Sequence, residues 1–233
     1  MKKALIMKKV HLIIVTTALV FMHLSCKKET REKLKQAKQS VSNVTTMAKS
    51  AEEVKENIEK LQNVTPLTND QLKAWLPKEL EGMTRTSFKT GSGAFAGIST
   101  LEGKFDTPDI PTRVKDASGK RIANPDKKTF SLILYDGAGP SGGMMISSIQ
   151  MVTKMDMEEE TEYKHKKTVT VNGIRAIQTL NKPRGPSYPV KIALQFVYKK
   201  RFGFTLNSTN MTEEETWEVF EKLDVEKLVE EAS

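Results

Sequence analysis

The stretch YDGAGPSGGMM at Tyr135–Met145 contains the one pattern in this chain that is typical of an enzyme. Gly137 to Gly142 satisfies G-x-G-x-x-G, which cradles a dinucleotide pyrophosphate, and Gly139 to Gly143 satisfies G-x-S-x-G, which presents a nucleophilic serine. A predicted strand precedes the stretch and a predicted helix follows it, as both motifs require. Each chemistry therefore has to be tested against the rest of the sequence.

Dinucleotide binding needs a parallel strand-helix-strand unit whose second strand ends in an acidic residue. Here the next predicted strand ends at Val171 and runs directly into a hairpin turn at Asn172, with no acid at that place. Pro140 also removes a backbone N–H from the turn that would have to hold the phosphate. We therefore expect no dinucleotide and no other cofactor.

A nucleophilic Ser141 would need a histidine base and a third group to orient that base. Two of the three histidines precede Cys26, which leaves His165, with Asp156 as a possible third member. His165 lies in an alternating strand pattern among three lysines, whose charges oppose formation of the imidazolium. We predict that Ser141 is not a nucleophile, that the chain is not an enzyme, and that the glycines make a tight strand-to-helix connection. A serine hydrolase using Ser141 and His165 stays as the alternative.

Metal binding is not predicted either. Only one histidine follows Cys26. The carboxylates gather in Asp156–Glu162, which is typical of a solvated helix end rather than of a set of metal ligands.

Cys26 is the only cysteine, and it follows a basic segment with four lysines, Met1–Lys9, and an apolar run, Val10–Leu24. This order is typical of a secretory signal, and the run is short of the roughly 20 residues that a spanning helix needs. Leu24-Ser25-Cys26 resembles the lipobox of bacterial lipoproteins, and the following Lys-Lys-Glu is similar to lipoproteins of the Bacteroidetes type. The resemblance implies a signal peptide over residues 1–25 and diacylglycerol on Cys26. It also implies a lipid anchor in the cell envelope, at the outer membrane, facing the periplasm or the surface.

The formal charge of +8 would favour a nucleic-acid partner if it belonged to the folded domain. It does not, because four of the lysines lie in the signal peptide, and Lys27–Asn63 carries nine basic and six acidic residues. Val64–Ser233 carries 24 basic and 23 acidic residues and is close to neutral. We therefore predict no nucleic-acid binding.

Residues 26–63 form a predicted helical tether. Between Glu29 and Leu61 there is no glycine or proline, and apolar residues recur every three or four positions. The tether could be a spacer helix or one strand of a coiled coil. The spacer is favoured because the apolar stripe includes small alanines, whereas a stable coiled coil needs larger residues.

Residues 64–233 form one predicted α+β domain. Tight turns between predicted strands indicate an antiparallel sheet of about six or seven strands, with two amphipathic helices packed on one face. Asn172-Gly173 is the strongest hairpin signal. Capping boxes at Thr68 and Thr212 mark the starts of two helices. The predicted elements are a helix after Thr68, strands at Met83–Lys89, Ala94–Phe105 and Lys128–Asp136, a helix at Met144–Glu160, strands at Glu162–Val171, Ile174–Leu180, Val190–Tyr198 and Phe202–Ser208, and a helix after Thr212.

This layout resembles small sheet-and-helix domains of the PsbP/Mog1 type. The stretch LPKELEGMTRT at Leu76–Thr86 also resembles the LPxxLxGxxRT opening of uncharacterised bacterial envelope proteins. The resemblance implies a fold and brings no activity with it.

The predicted function is a non-catalytic binding or interaction module whose partner is an envelope protein or a small molecule. The two long loops, Asp106–Lys127 and Asn181–Pro189, are its predicted working surfaces, with Arg184 and Tyr188 as candidate binding residues. A purely structural envelope spacer is the other alternative. If the two loops meet at one end of the sheet around a concave surface, the binding interpretation gains.

Overall fold

The computed structural model describes residues 52–91, 97–185 and 187–232. The predicted signal peptide, Cys26 and the tether as far as residue 51 lie outside the described residues. The described helices are α1 (residues 52–62), α2 (Asn69–Trp75), α3 (Gly139–Lys154), α4 (Glu213–Glu221) and α5 (Val225–Glu231). None of these described helices is long and apolar enough to cross a membrane.

The domain is built on one nine-stranded antiparallel sheet, which confirms the α+β class but has more strands than the six or seven predicted. Its strand order is β1-β2-β3-β6-β11-β10-β9-β8-β7, and β4 and β5 form a separate hairpin inside the first long loop. Seven strands are long, and β1 and β7 are short strands at the two edges. The strands are β1 (Glu79–Leu80), β2 (Met83–Gly91), β3 (Thr100–Asp106), β4 (Arg113–Lys115), β5 (Arg121–Ala123), β6 (Thr129–Asp136), β7 (Glu158–Glu160), β8 (Lys164–Val171), β9 (Ile174–Asn181), β10 (Lys191–Tyr198) and β11 (Phe202–Thr209).

Tight turns set the register of the long hairpins, with two residues between β8 and β9 and three between β10 and β11. Asn172 and Gly173, at φ of 49° and 78°, join β8 to β9, as the sequence predicts. Lys199 and Lys200 also have positive φ values, 48° and 60°, at the turn from β10 to β11. Two successive residues with positive φ match the right-handed twist of a hairpin, so this geometry is imposed on lysines that would not choose it on their own.

Helix α4 covers one face of the sheet with aromatic side chains. The ring centroid of Phe220 lies 4.9 Å from that of Phe196 and 5.1 Å from that of Phe204, with edge-on geometry. Trp217 lies 5.2 Å from Phe196. The capping box at Thr212 is confirmed, because its side chain accepts from the Glu215 N–H while Glu215 accepts from the Thr212 N–H. The main core therefore lies between α4 and the central strands.

Helix α3 lies on the opposite face, so the prediction that both amphipathic helices share one face is wrong. Gly203 alternates with Phe204 along β11, and a Cβ on Gly203 would stand 2.8 Å from Ile146 and 3.0 Å from Ile149 of α3. Glycine at this position removes the side chain that would otherwise hold α3 away from the sheet. The hydrophobic pattern of α3 shows that it has a buried side but not which face of the sheet it covers.

The bounds of α3 also differ from the prediction of Met144–Glu160. The helix starts five residues earlier, at Gly139, and ends at Lys154. The Met157 N–H donates to the Thr168 hydroxyl oxygen, and that hydroxyl donates to the Met155 carbonyl. Because of these bonds to β8, the helix ends at Lys154, and Glu158–Glu160 form the edge strand β7.

The described end of the predicted tether, α1, packs against α3. A Cβ on Gly143 would stand 3.3 Å from the Ile58 Cα, so the backbones of the two helices approach closely at this glycine. The Glu53 carboxylate accepts from Lys154 Nζ of α3 at 2.6 Å and lies 3.0 Å from Lys200 Nζ. Asn57 donates to the Lys200 carbonyl at 2.9 Å. We call these three contacts of Glu53 and Asn57 the α1 clasp.

Candidate functional site

The structure does not bring Ser141 and His165 together. Ser141 lies in the first turn of α3, beyond the end of β6 at Asp136. His165 is level with Phe130 at the other end of β6, through the register pairs His165–Leu180, Leu180–Ile192, Ile192–Ser208 and Ser208–Phe130. The six residue steps from Phe130 to Asp136 span about 20 Å, and four strand intervals separate β6 from β8. This geometry contradicts the alternative of a Ser141–His165 hydrolase site.

The glycine motif serves packing, which is the interpretation favoured by the sequence. A Cβ on Gly142 would stand 2.6 Å from the Gly137 carbonyl oxygen and 2.7 Å from that of Asp136. Gly139 has φ of +82°, a conformation that other residues rarely adopt. The motif therefore lets the first turn of α3 press against the end of β6.

The two long loops meet at one end of the sheet. The first loop connects Asp106 at the end of β3 to Thr129 at the start of β6, and these two residues are paired in the sheet. The second loop connects Asn181 at the end of β9 to Lys191 at the start of β10, and these two residues are also paired. Thr209 pairs with both Thr129 and Lys191, so all these strand ends are level with one another. We call this edge of the domain the loop end.

Asn210 joins the two loops. Its side-chain amide donates to the carbonyl oxygens of Asn124 (2.8 Å) and Lys127 (3.0 Å) in the first loop. Its backbone N–H donates to the Val190 carbonyl of the second loop at 3.0 Å. Asn210 has φ of 56°, which asparagine tolerates better than most residues. One residue therefore fixes the spacing of both loops.

An apolar groove of about 470 Å³ lies at the loop end on the α4 face. Pro125 of the first loop and Val190 of the second loop both line it, so the groove is the concave surface between the two loops. Its remaining lining residues are Leu180, Ile192, Asn210, Met211 and Thr212, with Glu213, Glu214 and Glu215 of α4. The Lys128 ammonium beside Glu215 lowers the pKa of that carboxyl, and the Thr212 N–H adds to the effect.

A second cleft, of about 440 Å³, opens at the loop end on the opposite face, where Lys191 alternates with the buried Ile192. We call it the basic-aromatic cleft. Arg184 lies over the ring of Tyr163, with 5.2 Å between the guanidinium carbon and the ring centroid. Tyr188 is 60% exposed. The lining residues are Glu159, Thr161, Tyr163, Lys164, Asn181, Lys182, Arg184, Tyr188, Pro189 and Lys191.

Two lysines of the basic-aromatic cleft are held by the edge strand β7. Lys164 Nζ donates to Glu159 at 3.0 Å, and Lys182 Nζ donates to Glu160 at 2.9 Å. The Lys182 contact lowers the pKa of the Glu160 carboxyl. A hydrogen bond to Glu162 raises the pKa of the Tyr163 hydroxyl, which keeps that ring neutral. The cleft therefore combines aromatic rings with fixed ammonium groups.

Both candidate residues from the sequence, Arg184 and Tyr188, line the basic-aromatic cleft. The residues predicted from the sequence did not include Tyr163 or Lys191, nor the joining role of Asn210. Tyr163 precedes β8 and Lys191 is the first residue of β10, and both look like ordinary exposed positions. Asn210 lies directly after a strand and before a helix cap, where an asparagine with positive φ is a usable signal.

Among residues 52–91, 97–185 and 187–232, no group of three or more histidine, cysteine or carboxylate side chains could hold a metal ion. No family model matches the chain, and comparison with curated proteins and with solved structures finds no significant match.

Proposed function

We propose that this chain is a lipid-anchored lipoprotein of the cell envelope whose globular domain is a non-catalytic binding module. The observation that carries the proposal is the meeting of the two long loops at one end of the sheet, joined by Asn210. Loops held by a rigid sheet are a common way to build a binding surface. The anchor is supported by Cys26 at the foot of the apolar run.

The loop end has the properties expected of a ligand surface. Both clefts fall within the roughly 300–1,000 Å³ that is usual for small-ligand sites. Each combines apolar or aromatic side chains with a small number of fixed polar groups. The loops are tied by backbone and side-chain hydrogen bonds, so the surface is formed before any ligand arrives.

The anchor is tested by metabolic labelling. Radiolabelled palmitate should enter the wild-type protein and not the Cys26→Ser variant, because the thiol is the proposed attachment point. Equal labelling of the two proteins would contradict lipidation at Cys26.

The binding surface is tested by photocrosslinking of the full-length protein in living cells. A benzophenone amino acid replaces Tyr188 in the basic-aromatic cleft, Val190 in the apolar groove, or Lys73 on exposed α2 as the control. Adducts from a loop-end position, and not from Lys73, would support the proposal. Absence of adducts from both loop-end positions, or equal adducts from Lys73, would contradict it.

A further inference from the structure

We propose that the basic-aromatic cleft binds an acidic glycan, a sugar chain that carries carboxylate groups. This inference rests on the proposed binding function and names the chemical class of its ligand. The cleft offers three kinds of group that such a ligand needs: exposed aromatic rings, unpaired cations and an amide.

The aromatic rings suit a sugar. Four large hydrophobic side chains are exposed in the part of the chain that the structure describes, and two of them, Tyr163 and Tyr188, line this cleft. An exposed tyrosine presents an apolar ring and a polar tip. The C–H face of a pyranose can stack on such a ring while its hydroxyl groups keep contact with water.

The cations suit a carboxylate. The lining contains Lys164, Lys182, Arg184 and Lys191 but only one carboxylate, Glu159. Lys164 and Lys182 already have carboxylate partners. Within the described ranges, Arg184 and Lys191 form no ion pair with a protein carboxylate. A planar guanidinium can bind both oxygens of a ligand carboxylate, and Lys191 adds a second charge across the cleft.

A second basic cavity in the domain provides a contrast. It also measures about 440 Å³ and is lined by Lys154, Lys199 and Lys200. There, Lys154 and Lys200 pair with Glu53, and Lys199 pairs with Glu226. Each of those three ammonium groups has a carboxylate partner within the protein, with Glu53 shared between two of them, whereas Arg184 and Lys191 remain available for a ligand.

The remaining lining favours a carboxylated sugar over a phosphate. Helix N-termini and glycine-rich turns, which supply the backbone N–H groups of most phosphate sites, do not line the cleft. Asn181, an exposed residue at the end of β9, can both donate to and accept from sugar hydroxyls.

Binding is measured by isothermal titration of the full-length lipidated protein in detergent. The probe is the tetrasaccharide of galacturonic acid, with maltotetraose as the neutral sugar and tetraglutamate as the acid without a sugar. We expect the acidic tetrasaccharide to bind more tightly than either control. No binding of the acidic tetrasaccharide, or equal binding of maltotetraose or tetraglutamate, would overturn the proposal.

Substitutions in the basic-aromatic cleft test whether the acidic tetrasaccharide binds there. Arg184→Ala, Tyr188→Ala and Lys191→Glu should each weaken binding of the acidic tetrasaccharide by about tenfold, which corresponds to about 1.4 kcal/mol. Lys73→Ala on α2 should leave it unchanged. Thermal unfolding of each variant shows that the fold is intact, since all three side chains are at the surface. Unchanged binding in all three variants would overturn the site.

The two proposals can fail separately. Loop-end photoadducts together with no binding of the acidic tetrasaccharide would keep the binding module and overturn the ligand class. No photoadducts and no binding would overturn both.

Discussion

At the scale of single residues, Asp136 joins parts of the domain that are distant in sequence. Its side chain is fully buried. One carboxylate oxygen accepts from the Ala138 N–H (3.1 Å) and Arg201 Nε (2.8 Å), and the other accepts from the Leu67 N–H (2.8 Å) and Arg201 Nη2 (2.9 Å). Arg201 also donates to the Ala232 carbonyl near the C-terminus. One ion pair therefore connects the end of β6, the segment before α2, the turn before β11 and the last helix.

We predict that Asp136→Asn destabilises the domain by about 3 kcal/mol, because it leaves the part-buried guanidinium of Arg201 without its buried counter-charge. Urea unfolding followed by tryptophan fluorescence measures the change. Asp70→Asn, in the exposed first turn of α2, is the matched control and should cost less than about 1 kcal/mol. A loss no larger than that of the control would contradict the central role of this pair.

We also predict that Ser141 does not react as a nucleophile. Activation of a serine requires a base within about 3 Å, and the only histidine described by the structure lies at the far end of the sheet. A fluorophosphonate probe should leave the purified protein unlabelled, and Ser141→Ala should behave like the wild type. Stoichiometric labelling that disappears in Ser141→Ala would refute this.

At the scale of elements, the α1 clasp connects the end of the predicted tether to the sheet. Glu53 contacts both Lys154 of α3 and Lys200 of the β10–β11 turn. Hydrogen bonds from Lys154 and Lys200, in that order, lower the pKa of the Glu53 carboxyl below 4.5. Because the pKa is lower when α1 packs against α3, this packing favours the ionised form of the Glu53 carboxyl. The contribution of Glu53 is therefore complete above pH 4.5 and is lost as the pH falls through the lower pKa of the docked state.

We predict that α1 detaches from α3 more readily in acid. Hydrogen exchange of residues 52–62, corrected for the intrinsic rate at each pH, should quicken between pH 5 and pH 3. In Glu53→Gln the exchange should already be faster at pH 5 and should change less with pH. Identical pH profiles in the two proteins would show that Glu53 does not hold the helix.

Local signals in the sequence predicted the elements well, whereas packing decided the rest. Asn172-Gly173 and the capping boxes at Thr68 and Thr212 depend on neighbouring residues, and the structure confirms all three. The face covered by α3 depends on Gly203 of β11, far away in sequence, so periodicity within α3 could not reveal it. The candidate site shows the same division. Arg184 and Tyr188 lie in a loop that the sequence predicts, whereas Tyr163 comes close to them only because β8 pairs with β9.

At the scale of the whole molecule, the charge is unevenly distributed along the chain. Most of the excess of basic residues precedes Val64, and the domain carries 24 basic and 23 acidic residues. The cations of the basic-aromatic cleft are therefore a local feature on a nearly neutral body. Such a body lacks the broad positive surface on which most binding to nucleic acid depends.

We predict no binding of residues 26–233 to duplex DNA or RNA at about 0.15 M salt, the physiological value. Fluorescence anisotropy of labelled duplexes is the measurement, repeated at lower salt to reveal any weak attraction of the basic residues that precede Val64. Micromolar binding that weakens steeply with added salt would contradict the prediction.

The two edges of the sheet are both very short: β1 has two residues and β7 has three, all exposed glutamates. A free strand edge is a template on which a second chain can add its own strand, and short or charged edges block this addition. Copies held side by side on a membrane meet one another far more often than copies in free solution. On the membrane anchor that we propose, short outer strands make it harder for neighbouring domains to join their sheets, and the proposed binding surface at the loop end stays accessible.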